Sequence, residues 1–104
     1  MLNECEYGIE KSDWQNVIRV FNNNQHIEKA ILFGSRAKGT YHEGSDIDIA
    51  LQGSNLAVND ILDLTNEMEA LNLPYKFDLI IYHRIKEPNL ADHINRIGKV
   101  IFER

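Results

Sequence analysis

Three aspartates interrupt stretches that otherwise read as apolar strands. Asp46-Ile47-Asp48-Ile49-Ala50-Leu51 opens on alternating polar and apolar residues, and Asp78 sits inside Phe77-Asp78-Leu79-Ile80-Ile81-Tyr82. Alternation at period two puts Asp46 and Asp48 on one face of a strand, about 7 Å apart along it. Aspartate is depleted in strands, and a buried unpaired carboxylate is costly. Two of them on one face repel, so something positive should compensate. Oxygen-rich sites of this kind suit Mg2+, which takes one or two carboxylates together with substrate phosphates. With Asp78 on a neighbouring strand, the three could hold two Mg2+ ions about 3.5–4 Å apart, an arrangement that supports in-line displacement at phosphorus.

A second group of residues suits phosphate. Gly34-Ser35 ends the apolar run Ala30-Ile31-Leu32-Phe33. Glycine lets the backbone approach a phosphate closely. Ser35 offers a hydroxyl and can open a helical turn whose free N–H groups attract an anion. Arg36 and Lys38 follow and bring positive charge to an otherwise acidic chain. Each piece alone has a plainer reading: a turn, the solvent side of an edge strand, a strand-end residue, solubilising charges. A calcium loop of the EF-hand type does not fit, because Ile49, Ala50 and Leu51 stand where that pattern needs a glycine and a late Glu. Taken together, in this order and spacing, the pieces favour a phosphate and metal site.

The elements that must position these groups can be read from periodicity. Ser12 can cap a helix whose apolar face is Trp14, Val17, Ile18 and Phe21, ended by Asn22-Asn23-Asn24. The first ten residues read as a loose lead-in. A strand over Ala30–Phe33 is followed by a polar loop from Arg36 to Ser45, then by the strand carrying Asp46 and Asp48. Gly53-Ser54-Asn55 breaks that strand. A second helix runs from about Val58 to Asn72, with Ile61, Leu62, Thr65, Met68 and Leu71 on one face, and Leu73-Pro74 closes it. The strand carrying Asp78 comes next. Pro88 suits the first turn of a last helix with Leu90, Ile94 and Ile97 facing inward, Gly98 ends it, and Val100-Ile101-Phe102 is a short extended tail. The fold class expected is α/β (α+β), a small mixed β-sheet with helices packed on it.

Composition bounds the rest. The chain has 104 residues, which suits a single domain over 1–104 with no separate substrate lobe. Its 43% apolar and 26% charged residues and two prolines read as ordinary globular protein rather than disorder. A net charge of −5 leaves no broad electrostatic footprint for nucleic acid. Cys5 is the only cysteine, so neither an intrachain disulfide nor a Cys-rich zinc site is expected. The start, Met1 to Glu6, lacks the pattern of a signal peptide, and no apolar run approaches membrane-spanning length. A cytoplasmic protein is the expectation. The four histidines, at 26, 42, 83 and 93, are not spaced as zinc pairs and default to surface or loop positions.

At this point the chain resembles a known family. Phe33-Gly34-Ser35-Arg36-Ala37-Lys38-Gly39 followed by Gly44-Ser45-Asp46-Ile47-Asp48-Ile49 is similar to the signature of the DNA polymerase beta-type nucleotidyltransferase superfamily: Gly-Ser, a ten-residue spacer, then Asp-x-Asp. Asp78 falls in the slot of the third superfamily carboxylate. The short chain resembles the minimal nucleotidyltransferases, or MNT proteins, antitoxins paired with a HEPN ribonuclease toxin. The resemblance implies a nucleotidyltransferase-like fold and transfer of AMP from ATP, the substrate, to a tyrosine of that toxin in a hetero-oligomer. It implies that Asp46 and Asp48 bind both Mg2+ ions, and that Asp78 binds the catalytic ion and helps deprotonate the incoming hydroxyl. Gly34 and Ser35 would hold the β- and γ-phosphates, with Arg36 and Lys38 adding charge as pyrophosphate leaves. It leaves the roles of Tyr41 and His42 open.

Two other classes of function fit the same residues. A stoichiometric antitoxin could mask its partner without chemistry. A nucleotidyltransferase acting on a small molecule or RNA could take its acceptor from another subunit.

Overall fold

The computed structural model describes residues 5–104, so the first residues of the stretch read for a signal peptide lie outside the described part. The described chain opens with a hairpin of β1 (Cys5–Glu6) and β2 (Ile9–Glu10), which leads directly into α1 (Lys11–Asn22). There follow β3 (Lys29–Phe33), the short α2 (Gly34–Lys38), β4 (Ile47–Gln52), α3 (Val58–Ala70) and β5 (Phe77–Ile81). A 3-10 turn over Tyr82–Arg84 leads to α4 (Pro88–Ile97) and β6 (Lys99–Glu103).

The second sheet has the order β5-β4-β3-β6. β3 pairs antiparallel with β4 and β6, whereas β4 and β5 run parallel. The sheet is therefore mixed, as expected. Both faces of β3 are covered, which is why Ala30-Ile31-Leu32-Phe33 is apolar without alternation. Ala30 and Leu32 join Ile47, Ile49, Leu51, Ile81 and the buried faces of α1 and α3 in the larger core. Ile31, Phe33 and Ala50 point the other way and pack with Ile94 of α4.

Three sequence expectations need correction. Over residues 5–10, the described part of the lead-in, the chain is not loose: Tyr7 and Gly8 both take positive φ, 58° and 78°, and close a two-residue turn of the kind that matches strand twist. Ile9 of this hairpin is fully buried in the main core, and the ring of Tyr7 meets Trp14 edge-on at 6.4 Å. Ser12 does not cap α1, which starts at Lys11 with Glu10 as its boundary residue, because β2 feeds it without a break. On α3 the buried stripe runs through Leu64 and Met68, while Leu62 is 58% exposed and Thr65 is exposed too. Leu62 and Leu64 lie on different sides of a helix, and only the one facing β5 and α1 could be covered.

The tail of the chain is also structural. β6 completes the sheet, and the guanidinium of Arg104 donates to the carbonyls of Ile27, Asn22 and Asn24 at 2.7, 2.9 and 2.9 Å. Asn22 O is among the carbonyls at the end of α1 that the helix itself leaves without a partner. If the hairpin is part of the core, Ile9→Ala should lower the unfolding free energy by about 3 kcal/mol, as emptying a fully buried isoleucine site does. Chemical denaturation measures this. A loss under about 1 kcal/mol would return residues 5–10 to a loose lead-in.

Candidate active site

Strand register gathers the carboxylates. Asp48 and Asp78 are direct partners across the parallel β4–β5 pair, and Phe33 stands opposite Asp48 on β3. Asp46, just before β4, is near enough to act on Asp48 electrostatically. Two residues further along the strands, the same sheet face carries Ile31, Ala50 and Ile80, which pack with Ile94. This face thus passes from an apolar row to an acidic row within one strand period. Asp46 and Asp78 are exposed there and Asp48 is half-buried.

The environment of Asp48 is strained electrostatically. Its burial, and then the nearby charges of Asp78 and Asp46, push its carboxyl above the ordinary aspartate value, with His93 opposing them. Like charges held together by the backbone cannot separate to relieve this.

The Gly34-Ser35 turn closes the acidic row. Gly34 has φ 77°, and a side chain on it would run into the carboxylate of Asp48. Its glycine is thus required twice, by backbone conformation and by space. Ser35, half-buried, stands in the first turn of α2, and Lys38 at the end of that turn is exposed. Residues three apart share a helix side, so Ser35 and Lys38 lie together.

Arg36 goes elsewhere. It is 3% exposed and its guanidinium is spent on backbone carbonyls: Nε and Nη2 donate to Ser45 O at 3.1 and 2.8 Å, and Nη1 to Tyr7 O at 2.7 Å. The rings of Tyr41 and Tyr75 flank it, 5.2 and 5.7 Å from their centroids. The charge read from sequence as a neighbour of phosphate is therefore enclosed by the hairpin and the 39–46 loop. Tyr41 takes part in that enclosure. His42 turns back on its own loop, with Nδ1 2.9 Å from Glu43 O and its N–H donating to Ser45 Oγ at 3.0 Å.

His93 was not singled out by the sequence reading. It lies on α4, and its Nε2 accepts the Gly34 N–H at 3.1 Å, which ties the turn to the helix. Its ring meets Phe33 edge-on at 6.2 Å. The available signal was helical spacing, since residue 93 is three after the inward-facing Leu90. Tyr82, which opens the 3-10 turn after β5, donates its hydroxyl to Asn95 Oδ1 at 2.7 Å and so serves the packing of α4.

Among the described residues, no group of three or more His, Cys, Asp or Glu side chains stands positioned to hold a metal ion. The donor set still suits a divalent cation. It offers hard carboxylate oxygens only, and Asp48 is in a field that a bound cation would relieve.

Comparison with known proteins identifies the family and the fold. Residues 15–104 match the family described as Polymerase beta, Nucleotidyltransferase. No curated protein matches the chain. Among solved structures, a toxin–antitoxin with AMP-PNP superposes with a TM-score of 0.71 at 26% identity, over 88% of this chain and 73% of that one. A tri-AMPylated Shewanella oneidensis HEPN toxin in complex with MNT antitoxin shares the fold, with a TM-score of 0.66 at 21% identity over 90% and 72% of the two chains. The toxin–antitoxin MntA–HepT does likewise, with a TM-score of 0.66 at 21% identity over 90% and 73%. The family match begins within α1 and ends with the last residue after β6, taking in the whole sheet and the acidic row on it: the chain belongs to the polymerase beta nucleotidyltransferase family.

Proposed function

We propose that this chain is a minimal nucleotidyltransferase that moves AMP from ATP to a tyrosine hydroxyl of a HEPN toxin, and so acts as its antitoxin in the cytoplasm. The observation that carries the reading is the register of Asp48 against Asp78, with Asp46 beside them and the Gly34-Ser35 turn closing the row. The likeness to a toxin–antitoxin with AMP-PNP supports ATP as donor. The choice of acceptor follows the AMPylated HEPN toxin, whose antitoxin shares this fold. Among the described residues, no helix is long and apolar enough to cross a membrane.

In this reading, Gly34 and Ser35 hold the β- and γ-phosphates, and exposed Lys38 adds charge beside them. His93 fixes the Gly34 backbone, so the turn is in place before ATP arrives. The acceptor oxygen attacks the α-phosphorus from the open side of the acidic row. A new O–P bond forms, the bond to the bridging oxygen breaks, and pyrophosphate leaves. Asp78, exposed at the edge strand, receives the acceptor's proton. Asp46, Asp48 and Asp78 would hold two Mg2+ ions, which when bound neutralise developing negative charge and favour the ionised acceptor.

Incubation with α-labelled ATP, Mg2+ and the HEPN toxin should label the toxin. Asp48→Asn should reduce labelling roughly a hundredfold or more, the scale of losing one transition-state charge contact. Equal protection from toxicity by Asp48→Asn and the unaltered protein, without label, would mean masking rather than transfer.

The same substitution should act in the opposite sense on stability. The Asp48 pKa is raised in the folded state, so the folded protein binds more protons there than the unfolded chain, and stability falls as pH rises from the ordinary aspartate value. In metal-free buffer at pH 7, Asp48→Asn should therefore melt higher than the unaltered protein. The gap should close as pH is lowered below about 4, where both states are protonated. A lower melting temperature for Asp48→Asn at pH 7 would show that the carboxylate is not held against repulsion.

A further inference from the structure

Arg36 and Lys38 are two residues apart on α2, yet one is buried and the other exposed. Residues at that separation do not face the same side of a helix. The exposed lysine lies on the side of Ser35, whereas the arginine crosses to the hairpin and the 39–46 loop. A buried cation needs strong local compensation. Here that compensation is three hydrogen bonds to two carbonyls and two flanking tyrosine rings.

The acceptor that takes two of those bonds is Ser45 O, the carbonyl joined to the nitrogen of Asp46. On the other side of Asp46, Ile47 N donates to Lys76 O at 2.8 Å. The Asp46 backbone is thus held before and after, by a guanidinium on one peptide and by the chain leading into β5 on the next. The third bond reaches Tyr7 O in the hairpin turn, where a tyrosine occupies the left-handed region at φ 58°. That backbone is unfavourable for a bulky residue and persists only where its surroundings impose it. The neighbouring Gly8 leaves no room for a side chain, which would meet Arg36 Nη1 and the Tyr41 ring. Turn, loop and cation are built around one another.

We propose that Arg36 is a positioning residue for Asp46: it sets the carboxylate for metal binding and does not itself contact the phosphates of ATP. This deepens the nucleotidyltransferase reading and rests on it. The guanidinium fork matches two donors to one carbonyl while reaching a second, which the ammonium of lysine cannot reproduce. Groups that orient metal ligands typically change metal affinity by about 10–100-fold when lost.

The test is a titration of Mn2+ with AMP-PNP, followed by electron paramagnetic resonance, on the unaltered protein, Arg36→Lys, Arg36→Gln and Asp46→Asn. Asp46→Asn should lose Mn2+ binding, and the Arg36 variants should bind about tenfold more weakly. In the transfer assay, raising Mg2+ should restore kcat of the Arg36 variants, with KM for ATP within about twofold of the unaltered value. Hydrogen exchange should show faster exchange over residues 40–46 and none of the increase at Leu32 or Ile49. If both Arg36 variants fail to fold, Tyr41→Leu keeps the three hydrogen bonds and removes one ring. It should weaken Mn2+ binding about two- to fivefold, the worth of one cation–π contact. Unchanged Mn2+ affinity with a KM for ATP raised at every Mg2+ concentration would overturn the proposal and make Arg36 a phosphate ligand. If Asp46→Asn bound Mn2+ like the unaltered protein, the metal reading would fall and the Arg36 proposal with it. Loss of binding in Asp46→Asn alone would remove only the role of Arg36.

Discussion

Repulsion among carboxylates is the constraint around which this fold is arranged. Register places Asp48 beside Asp78, burial withholds water from Asp48, and Asp46 adds to the field. Burial and its two acidic neighbours raise the carboxyl of Asp48 in the folded chain, so without a cation that group costs stability at neutral pH. They are held by what lies on either side of them. Behind the acidic row, Ile31, Ala50 and Ile94 are buried between sheet and helix, with Ile80 partly buried beside them. On the opposite face, Ile47, Ile49 and Leu51 alternate with the aspartates and are fully buried. Turning β4 over would carry Asp48 into that core, and a one-residue slip would move those three side chains to the face of the acidic row.

The same logic explains why the turn after β3 is so restricted. Gly34 lies against Asp48 with no space for a side chain, and its N–H is fixed by His93. The contact spans three elements: β3 supplies the glycine, β4 the carboxylate and α4 the histidine. Under the proposed function, a nucleotide site made this way has little freedom left to lose on binding, which is the benefit of preorganisation.

The parts legible in the sequence were those governed by local pattern. Alternation revealed the face shared by Asp46 and Asp48, and the apolar run 77–82 with one Asp revealed the third carboxylate's strand. That these strands pair in parallel, with 48 against 78, is a tertiary fact that periodicity does not carry. The hairpin was missed because two-residue strands have almost no pattern, and Tyr-Gly is a poor match to the Asn-Gly and Asp-Gly turns that announce hairpins. On α3, Leu62 and Leu64 are equally apolar, and only the position of β5 and α1 decides between them. His93 offered a helical spacing but no chemical partner until the fold brought Gly34 to it.

Arg36 shows the deeper limit of reading charge from sequence. Arg36 and Lys38 look equivalent as two cations following Gly-Ser, but a helix sends them to different sides. Which side receives the arginine depends on a carbonyl nine residues later and another twenty-nine residues earlier. Lysine suits the solvated side, as a mobile point charge that an incoming anion can meet. Arginine suits the enclosed one, since its planar fork can hold two carbonyls and lie against aromatic rings at once. The exchange of these two residue types would put a strongly hydrated ammonium into a nearly dry niche and leave Ser45 O and Tyr7 O short of donors. The order in which the two cations occur is therefore part of how the chain places Asp46, although neither side chain touches that carboxylate in any contact the fold displays.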